Sequence, residues 1–459
     1  MSAPMDLTIT PGSPVTGRSE VPGDKSIAHR WLMFAATAEG TSHLANLPLS
    51  LDIRSTARVM ASLAPMARPV LEVWSSNDPA TIEGGGSTWN GWDREAADST
   101  IEVEGEGRAG LRPPGSPLPC GNSGTTMRLL AGLVAPAPFE SVLVGDASLS
   151  SRPMERVAVP LRSMGARVST ASGHAPLTVA GGPLRGIEHA TAPPSAQVKS
   201  AVLIAGLAAQ GPTTVTESAP TRDHTERLLA ALGAPLRREE GLVTVEAFQH
   251  GPIRGRVPGD PSSAAFIVGA AAVTGAGVTV GRVGLNPTRL GYLEVMRRMG
   301  VDVTAEVLGE EMGEPYGEIV VTEGTELRGT TIEPTELPLV IDEVPVLAAL
   351  ATHARGETSF AEAAELRTKE SDRLTGMAEG LRGLGGHAAD DGDDLVIGGG
   401  GLAGGRAAAR GDHRLAMALI VAALAADAPS RLDGADAAAV SFPAFVPTLV
   451  DLGAGIEAV

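Results

Sequence analysis

The chain has 459 residues, 43% of them hydrophobic, and a formal net charge of −18. This length exceeds what a single core usually supports, so two or more domains are expected. The negative charge argues against nucleic acid or an anionic membrane as a partner. No apolar run is long enough for a membrane span, and the N-terminal segment lacks a signal-peptide pattern. The single cysteine, Cys120, cannot form an internal disulfide, so a cytoplasmic location is expected.

Lysine is rare in this sequence. Only Lys25, Lys199 and Lys369 are lysines, and the remaining 33 of the 36 basic residues are arginines. A bias toward arginine accounts for the rarity, but each lysine also lies in a polar segment that enters or opens a predicted helix. Lysine is a compact charge whose pKa shifts readily on burial, unlike arginine. We therefore expect at least two of the three lysines to be functional.

A helix-ending phrase occurs six times: Leu or Met, two residues, Leu or Met, and usually Gly. Apolar residues at i and i+3 indicate a buried helical stripe, and the Gly is the usual left-handed C-cap. A short β-rich run follows most copies. The phrase therefore predicts six units of alternating strands and helices. Its last apolar residues are Leu63, Met164, Leu232, Met299, Leu384 and Leu452, at spacings of 101, 68, 67, 85 and 68.

The first interval exceeds the second by 101 − 68 = 33 residues. The excess falls in a stretch that is rich in Gly and acidic residues and contains Trp74, Trp89 and Trp92. We expect a surface insertion near 67–119, in the form of a small hairpin.

A longer repeat divides the chain in two. Residues 21–28, VPGDKSIA, are echoed 236 residues later by 257–264, VPGDPSSA. Each copy precedes a small apolar helix, with Ser26 or Ser262 placed as its N-cap. Three of the short phrases lie on each side of the second copy, which predicts two similar domains of three units. The lysine of the first copy is Pro261 in the second, so one shared site is expected.

The segment around Lys25 is suited to an anion. Lys25, the Ser26 hydroxyl and the free N–H groups of the first helical turn point to one place, and Arg30 lies on the same face. A phosphate-binding P-loop is excluded, because it requires glycine where Asp24 and Ser19 stand.

Further polar segments open helices in the first half. In 120–128, glycines allow close approach of a ligand, while Asn122 and Thr125 offer hydrogen bonds. A plain turn with an N-cap is an equal alternative there. Cys120 is expected to be a small buried residue, since nothing marks a base beside it. Cations at helix starts oppose the helix dipole unless an anion binds. Polar clusters that contain an arginine or a lysine precede apolar helical patterns at 151–154, 195–200 and 221–227.

The second half adds carboxylates. Asp342 is embedded among apolar residues, where burial is expected to raise its pKa and suit it to proton transfer. Glu370 and Arg373 are three residues apart, on one face of a predicted helix and next to Lys369. An ordinary surface helix with ion pairs on its exposed face is an equal alternative for this segment. Arg414 lies in the last polar segment. Neither metal-ligand spacing nor a dinucleotide motif is present, so we expect transfer chemistry between anionic substrates without metal or cofactor.

Together the motifs PGDKSIAHR, GNSGTTMR, SRPM, SAQVKSA, TRDHTE, IDE, RTKESDR and DHR resemble the EPSP synthase family, in the family's order. The resemblance covers essentially the whole chain outside 67–119. It implies an α/β fold, an inside-out α/β barrel of two similar domains, each of three βαβαββ units. It also implies that 1–20 and 257–459 form a C-terminal-type domain, and 21–256 an N-terminal-type domain.

The resemblance implies a reaction in which the 5-hydroxyl of shikimate-3-phosphate adds to C2 of phosphoenolpyruvate, whose C3 is protonated. The tetrahedral intermediate then loses phosphate. Lys25 would contact both substrates, Asp342 would take the hydroxyl proton, and Glu370 would protonate C3. If the alignment of this segment with the family motif is shifted by one residue, Glu343 takes the hydroxyl proton instead of Asp342.

The family pattern also implies which residues contact each substrate. It further implies that no cofactor is needed and that the protein is a monomer. The shikimate-3-phosphate contacts are Lys25, Ser26, Arg30, Ser195, Ala196, Gln197, Arg222, Asp342 and Lys369. The phosphoenolpyruvate contacts are Lys25, Gly124, Arg152, Gln197, Arg373 and Arg414. Gly124 matches the glycine against which phosphoenolpyruvate and the inhibitor glyphosate pack.

Some positions depart from the family pattern. Val440 stands where some members carry a lysine, and Ala196 where many have a second serine. Thr221-Arg222 replaces a Pro-Tyr-type pair, so Arg222 is expected to hold the phosphate of shikimate-3-phosphate. Lys199 has no implied catalytic role and is expected to support the site.

Two alternatives remain: the sister enolpyruvyl transferase acting on UDP-N-acetylglucosamine, and a non-catalytic anion-binding protein on the same scaffold. The sister enzyme carries a Lys-Asn pair and a loop cysteine, and this chain has Lys25-Ser26 and no such cysteine. Intact Lys25, Asp342 and Glu370 argue against a non-catalytic protein.

Overall fold

The structure is a computed structural model that describes residues 5–71 and 100–459. The three tryptophans of the predicted insertion lie outside the described residues. The α-helices whose bounds lie within these residues include α1 (Lys25–Ala36), α2 (Leu51–Leu63), α3 (Gly124–Val134), α4 (Ala147–Ser150), α5 (Glu155–Met164), α6 (Ala196–Gly206), α7 (His224–Ala231), α8 (Pro261–Val273), α9 (Gly291–Arg298), α10 (Leu337–Val340), α11 (Val344–Thr352), α12 (Arg373–Gly383), α13 (His413–Ala423) and α14 (Phe445–Asp451).

Three sheets come mainly from the first half of the chain, with a short pair of strands beside them. In spatial order they are β15 (Arg254–Arg256), β3 (Glu39–Ala45) and β4 (Thr100–Glu106); β5 (Leu118–Pro119), β6 (Glu140–Val144), β8 (His174–Ala180) and β7 (Arg167–Ala171); β10 (Glu188–Thr191), β12 (Thr213–Glu217), β14 (Leu242–Val245) and β13 (Leu236–Glu239); and the pair β9 (Leu184–Arg185) with β11 (Ala209–Gln210).

Three four-stranded sheets come mainly from the second half, so the described residues contain one larger sheet for each predicted unit. In spatial order they are β17 (Val303–Glu311), β18 (Glu314–Val321), β16 (Val278–Gly284) and β2 (Gly17–Glu20); β19 (Thr331–Ile332), β20 (Glu357–Phe360), β22 (Asp394–Gly398) and β21 (His387–Asp391); and β23 (Arg406–Ala408), β24 (Ser430–Asp433), β1 (Leu7–Thr10) and β25 (Gly455–Ala458).

The buried apolar side chains form two separate cores. The first contains α1, α3 and α6, and the second contains α8, α11 and α13, which pack against one another. Residues 261–272 of α8 are buried on every side, so this helix lies inside a layer of sheets. Strand β1 contributes Leu7 and Ile9 to the second core, although it begins the chain. The predicted domain bounds near residues 20 and 257 stay a prediction.

The predicted insertion near 67–119 is too long. Strand β4 pairs with β3 along its whole length, and β5 joins β6, so residues 100–119 belong to the scaffold. The acidic side chains of β4 alternate outward while Val103 and Gly105 face the interior. A Cβ at Gly105 would lie 2.5 Å from the carbonyl oxygen of Ala38. The acidic composition therefore reflects the solvent face of a strand.

The helix ends follow the predicted pattern at their C-termini but not at two N-termini. The five repeat glycines all have positive φ, which confirms the left-handed C-caps. Ser26 and Ser262 are not N-caps. Asp24 caps α1 by accepting a bond from Ile27 N at 3.1 Å, and Asp260 caps α8 by accepting from Ser262 N at 3.0 Å. A carboxylate two residues earlier takes the capping position in both copies.

No helix in the ranges 5–71 and 100–459 is long and apolar enough to cross a membrane. The cytoplasmic location stays a prediction.

Candidate active site

Several predicted site residues lie at or next to helix N-termini. There the unpaired N–H groups and the helix dipole favour an anion, which explains how a chain of charge −18 could hold one. Lys25, Gly124 and Arg373 are the first residues of α1, α3 and α12. Ser195 caps α6 by accepting from Val198 N at 3.4 Å. Asp342 closely precedes α11.

Asp342 joins the two halves of the chain. Arg222, from the first half, donates to its carboxylate. From the second half, Arg414 Nη1 donates to the Asp342 carbonyl oxygen at 2.6 Å, and Arg373 Nη1 lies 3.7 Å from its Oδ1. The structure therefore brings together one predicted base and three predicted anion ligands.

The expected rise in the Asp342 pKa is wrong. Burial alone would raise it, but the charges of Arg414, Arg222, Lys369 and Arg373 hold the pKa well below its ordinary value. Asp342 is thus a carboxylate when no anion occupies these cations. The neighbouring Glu343 shows the opposite balance, since burial raises its pKa despite the charge of Arg414.

Glu370 and Arg373 form an ion pair, and Asp412 holds Arg373 in place. Arg373 is buried and donates to Glu370 and, through Nε, to Asp412 Oδ2 at 2.8 Å. Asp412 also accepts from Ser371 Oγ at 3.0 Å and from Arg414 N at 2.8 Å, which caps α13. Asp412 was not a predicted site residue, although its place before a helix with a polar start was a usable N-cap signal.

The pKa of Glu370 reflects both halves of the chain. Burial raises it, while the charges of Arg373, Arg152 and Lys25 lower it, and the net value lies well below the ordinary range. Lys25 and Arg152 belong to the first half, so Glu370 lies within range of charges from both halves. Its side chain remains 34% exposed, which leaves it accessible to a ligand.

Lys25 lies beside a carboxylate that the sequence did not single out. Its Nζ is 3.2 Å from Asp52 Oδ2, and its side chain is 17% exposed. Burial raises the pKa of Asp52, but the Lys25 charge lowers it, so that the net pKa is below the ordinary value. No motif around Asp52 distinguished it from a surface residue at the start of a helix.

Gly124 lies between two guanidinium groups. A Cβ there would be 2.9 Å from Arg128 Nη1 and 3.6 Å from Arg152 Nη1. Arg152 Nη2 donates to Asn122 Oδ1 at 2.6 Å, and Arg128 donates to the side-chain oxygen of Gln197. Of the predicted phosphoenolpyruvate residues of the first half, Gly124, Arg152 and Gln197 therefore lie in one group around Arg128.

Other predicted contacts differ in their exposure. Lys369 is half-buried and its Nζ lies 2.6 Å from Glu365 Oε1. Ser26 and Ala196 are half-buried at the starts of their helices. Arg30 is buried, and its guanidinium donates to the Ser26 carbonyl oxygen, to Thr225 and to Ser200, all within 2.7 Å. Its direct contact with substrate stays a prediction.

Lys199 is held inside the first half. Its Nζ lies 2.6 Å from Glu217 Oε2 and 2.7 Å from Glu226 Oε1, and the three side chains are at most 8% exposed. This supports the expected structural role.

His413 was missed by the sequence reasoning. It is the first residue of α13 and is buried, and no described residue bonds its Nε2. Burial and the charges of Lys25 and Arg414 lower its pKa to about 3, so the ring is neutral at physiological pH. Its place beside Arg414 in the DHR motif was the available signal.

Cys120 is buried and its Sγ donates to the Leu118 carbonyl oxygen at 3.7 Å. Burial raises its thiol pKa to about 12, so the thiolate is scarce near neutrality. We expect iodoacetamide at pH 8 to leave the native protein unlabelled while alkylating the urea-unfolded chain, as measured by intact mass. Rapid labelling of the native protein would contradict this.

The family model described as EPSP synthase (3-phosphoshikimate 1-carboxyvinyltransferase) matches residues 9–91 and 89–449. The chain belongs to the EPSP synthase family. A relative named 3-phosphoshikimate 1-carboxyvinyltransferase, from Halorhodospira halophila, is 44% identical over 454 residues, covering 98% of this chain and 96% of the relative.

Two solved structures resemble this one. An EPSP synthase from Acinetobacter baumannii has a TM-score of 0.83 and 39% identity, covering 99% of this chain and 100% of that one. The enolpyruvyl transferase NikO from Streptomyces tendae has a TM-score of 0.73 at 19% identity, covering 99% of each chain, and therefore bears on the fold alone. The predicted fold of two similar domains of three α/β units is confirmed.

Proposed function

We propose that this chain transfers the enolpyruvyl group of phosphoenolpyruvate to the 5-hydroxyl of shikimate-3-phosphate and releases phosphate. The observation that carries the proposal is the contact of Arg222 with Asp342 across the two halves, beside the Glu370–Arg373 pair. The family match agrees with it and does not favour the alternatives.

The cations divide between two anionic substrates. Arg222 and Lys369 suit the phosphate and carboxylate of shikimate-3-phosphate. Arg152, Arg373 and Arg414 suit phosphoenolpyruvate, because a guanidinium fork matches carboxylate and phosphate geometry. This division follows the family resemblance, and each substrate is assigned cations from both halves of the chain.

Substrate binding is expected to adjust the two carboxylates. The arginines and lysines that lower the pKa of Asp342 and Glu370 are the groups proposed to bind the anions. A bound phosphate or carboxylate neutralises part of that charge, so both pKa values rise toward those of ordinary acids. The acid and base functions therefore become available when both substrates are bound.

The chemistry then runs in two stages. Asp342 accepts the 5-hydroxyl proton as that oxygen bonds to C2 of phosphoenolpyruvate, while Glu370 supplies a proton to C3. Lys25 stabilises charge next to both substrates. In the second stage the Glu370 carboxylate takes a proton back from C3, the C2–O bond to phosphate breaks and phosphate leaves, and the C2–C3 double bond re-forms.

Phosphorus NMR of both substrates with the protein tests this assignment. We expect equal amounts of inorganic phosphate and a new phosphomonoester to appear as the substrates disappear. Inorganic phosphate without a new phosphomonoester would contradict the transfer.

Gly124→Ala tests the placement of phosphoenolpyruvate. The added methyl would stand 2.9 Å from Arg128 Nη1, at the end of a flexible side chain, so the fold should persist. The methyl enters the space proposed for phosphoenolpyruvate and for glyphosate. We expect the glyphosate inhibition constant to rise about tenfold or more. A tenfold rise corresponds to a loss of about 1.4 kcal/mol of binding free energy. An unchanged inhibition constant would refute the placement.

A further inference from the structure

The two copies of the Val-Pro-Gly-Asp motif lie side by side where the chain crosses between its halves. Asp24 N donates to the Pro258 carbonyl oxygen, and Asp260 N donates to the Pro22 carbonyl oxygen, each at 2.8 Å. An antiparallel bridge pairs Gly23 with Gly259. The first copy leads into the helix that begins with Lys25, whereas the second leads into a helix that begins with Pro261.

Arg289 lies between these copies and binds both. Its Nη1 donates to Asp24 Oδ2 at 2.6 Å and its Nη2 to Asp260 Oδ1 at 3.0 Å. The arginine side chain is only 3% exposed, and both carboxylates are buried. Burial lowers the pKa of Arg289, but the charges of Asp24 and Asp260 more than offset this and raise it above its ordinary value. The guanidinium is therefore a fixed charge inside the protein.

Asp24 has a second bond, which fixes the start of the helix that begins with Lys25. Its Oδ1 accepts from Ile27 N at 3.1 Å, so this carboxylate caps the helix whose first residue is Lys25. One oxygen thus fixes the N-terminus of α1 and the other is held by Arg289. The direction in which Lys25 leaves the helix depends on both bonds.

On its other side Arg289 reaches the acidic segment. Its Nη2 donates to Ser262 Oγ at 2.8 Å, and that hydroxyl donates to the Glu343 carboxylate. Glu343 adjoins Asp342 in the chain. The described contacts therefore run without a break from the Lys25 helix, through Asp24, Arg289 and Ser262, to the segment that holds Asp342.

We propose that Arg289 is a positioning residue that aligns Lys25 with Asp342 across the two halves, through Asp24 on one side and Ser262 on the other. The inference rests on the proposed function, because the aligned groups are those of the enolpyruvyl transfer. Arg289 itself touches no reacting atom. The chain supplies a matched comparison, since Asp24 and Asp260 both cap a buried helix and both bind Arg289.

The test compares Asp24→Asn with Asp260→Asn. Asparagine keeps a capping oxygen and nearly the same volume, but it loses the charge-assisted bond to Arg289. Both variants should lower Tm by similar amounts, because each leaves Arg289 with one carboxylate. Asp24→Asn should lower kcat by about 10- to 100-fold, as expected when a catalytic group is misplaced. Asp260→Asn should keep kcat within about threefold, and KM should change little in either variant.

A third variant separates positioning from helix capping. Arg289→Lys keeps the charge and the Asp24 cap, but a compact ammonium cannot bridge two carboxylates and a hydroxyl in the same geometry. It should lose kcat about as much as Asp24→Asn, and the double variant should be little worse than either single one.

Equal losses of kcat in Asp24→Asn and Asp260→Asn would overturn the inference, as would wild-type kcat in Asp24→Asn or in Arg289→Lys. These outcomes concern the inference alone if the wild-type protein turns over both substrates. Absence of wild-type turnover would instead refute the proposed function, and the inference with it.

Discussion

Replacing Lys25 with methionine is expected to lower kcat by about 100- to 1000-fold while the protein stays folded. Lys25 begins α1, and its charge reaches Glu370 and His413 across the site. Methionine keeps much of the side-chain length but removes the charge that would stabilise both substrates. The ion pair lost with Asp52 is long, at 3.2 Å, and partly exposed, so Tm should change by only a few degrees. Steady-state kinetics and thermal unfolding measure the two effects.

Lys199→Met is the matched control, and the opposite pattern is expected. Removing this buried cation leaves Glu217 and Glu226 without their partner, which should cost about 3–5 kcal/mol of unfolding free energy. The fraction that stays folded should retain kcat. Near-normal turnover in Lys25→Met would remove Lys25 from the mechanism, and selective loss of kcat in a stable Lys199→Met would give that lysine a function.

Glu370→Gln should lower kcat by about 100- to 10,000-fold, since the amide cannot supply a proton to C3. The loss should appear in kcat more than in KM, because Arg373 keeps its bonds to Asp412 and remains available to phosphoenolpyruvate. The rate of deuterium exchange into C3 of phosphoenolpyruvate, measured by proton NMR, should fall together with kcat.

Glu362→Gln is the comparison for this variant, because Glu362 is an exposed carboxylate eight residues earlier. It should leave kcat within about twofold, as for most surface substitutions. Unchanged C3 exchange in Glu370→Gln would transfer the proton-donating role to another group.

The fold was largely predictable because each of its units carries the same short sequence pattern at a helix end. Apolar residues at i and i+3 followed by glycine mark helix ends, and the five glycines take the positive φ that such ends require. The repeated Val-Pro-Gly-Asp motif indicated two halves and one shared site. The insertion was misjudged because β4 places acidic residues on its solvent face, which resembles a loop in composition.

The sequence predicted most of the residues of the site, but it did not predict the direction of their pKa shifts. The pKa of Asp342 depends on Arg222, Lys369 and other cations that are distant in sequence, and no local pattern shows them. Asp52 was missed for the same reason, since its significance comes only from its distance to Lys25. Arg289 lies in an unremarkable Asn-Pro-Thr-Arg segment, and only the three-dimensional fold shows that it binds both copies of the repeat.

The central claim is a transfer that requires shikimate-3-phosphate as the acceptor. The most direct measurement is phosphate release from phosphoenolpyruvate with shikimate-3-phosphate, with UDP-N-acetylglucosamine, and with no acceptor, using Lys25→Met as the inactive control. We expect phosphate only with shikimate-3-phosphate and the wild-type protein. Release driven by UDP-N-acetylglucosamine, or release without any acceptor, would contradict the assignment.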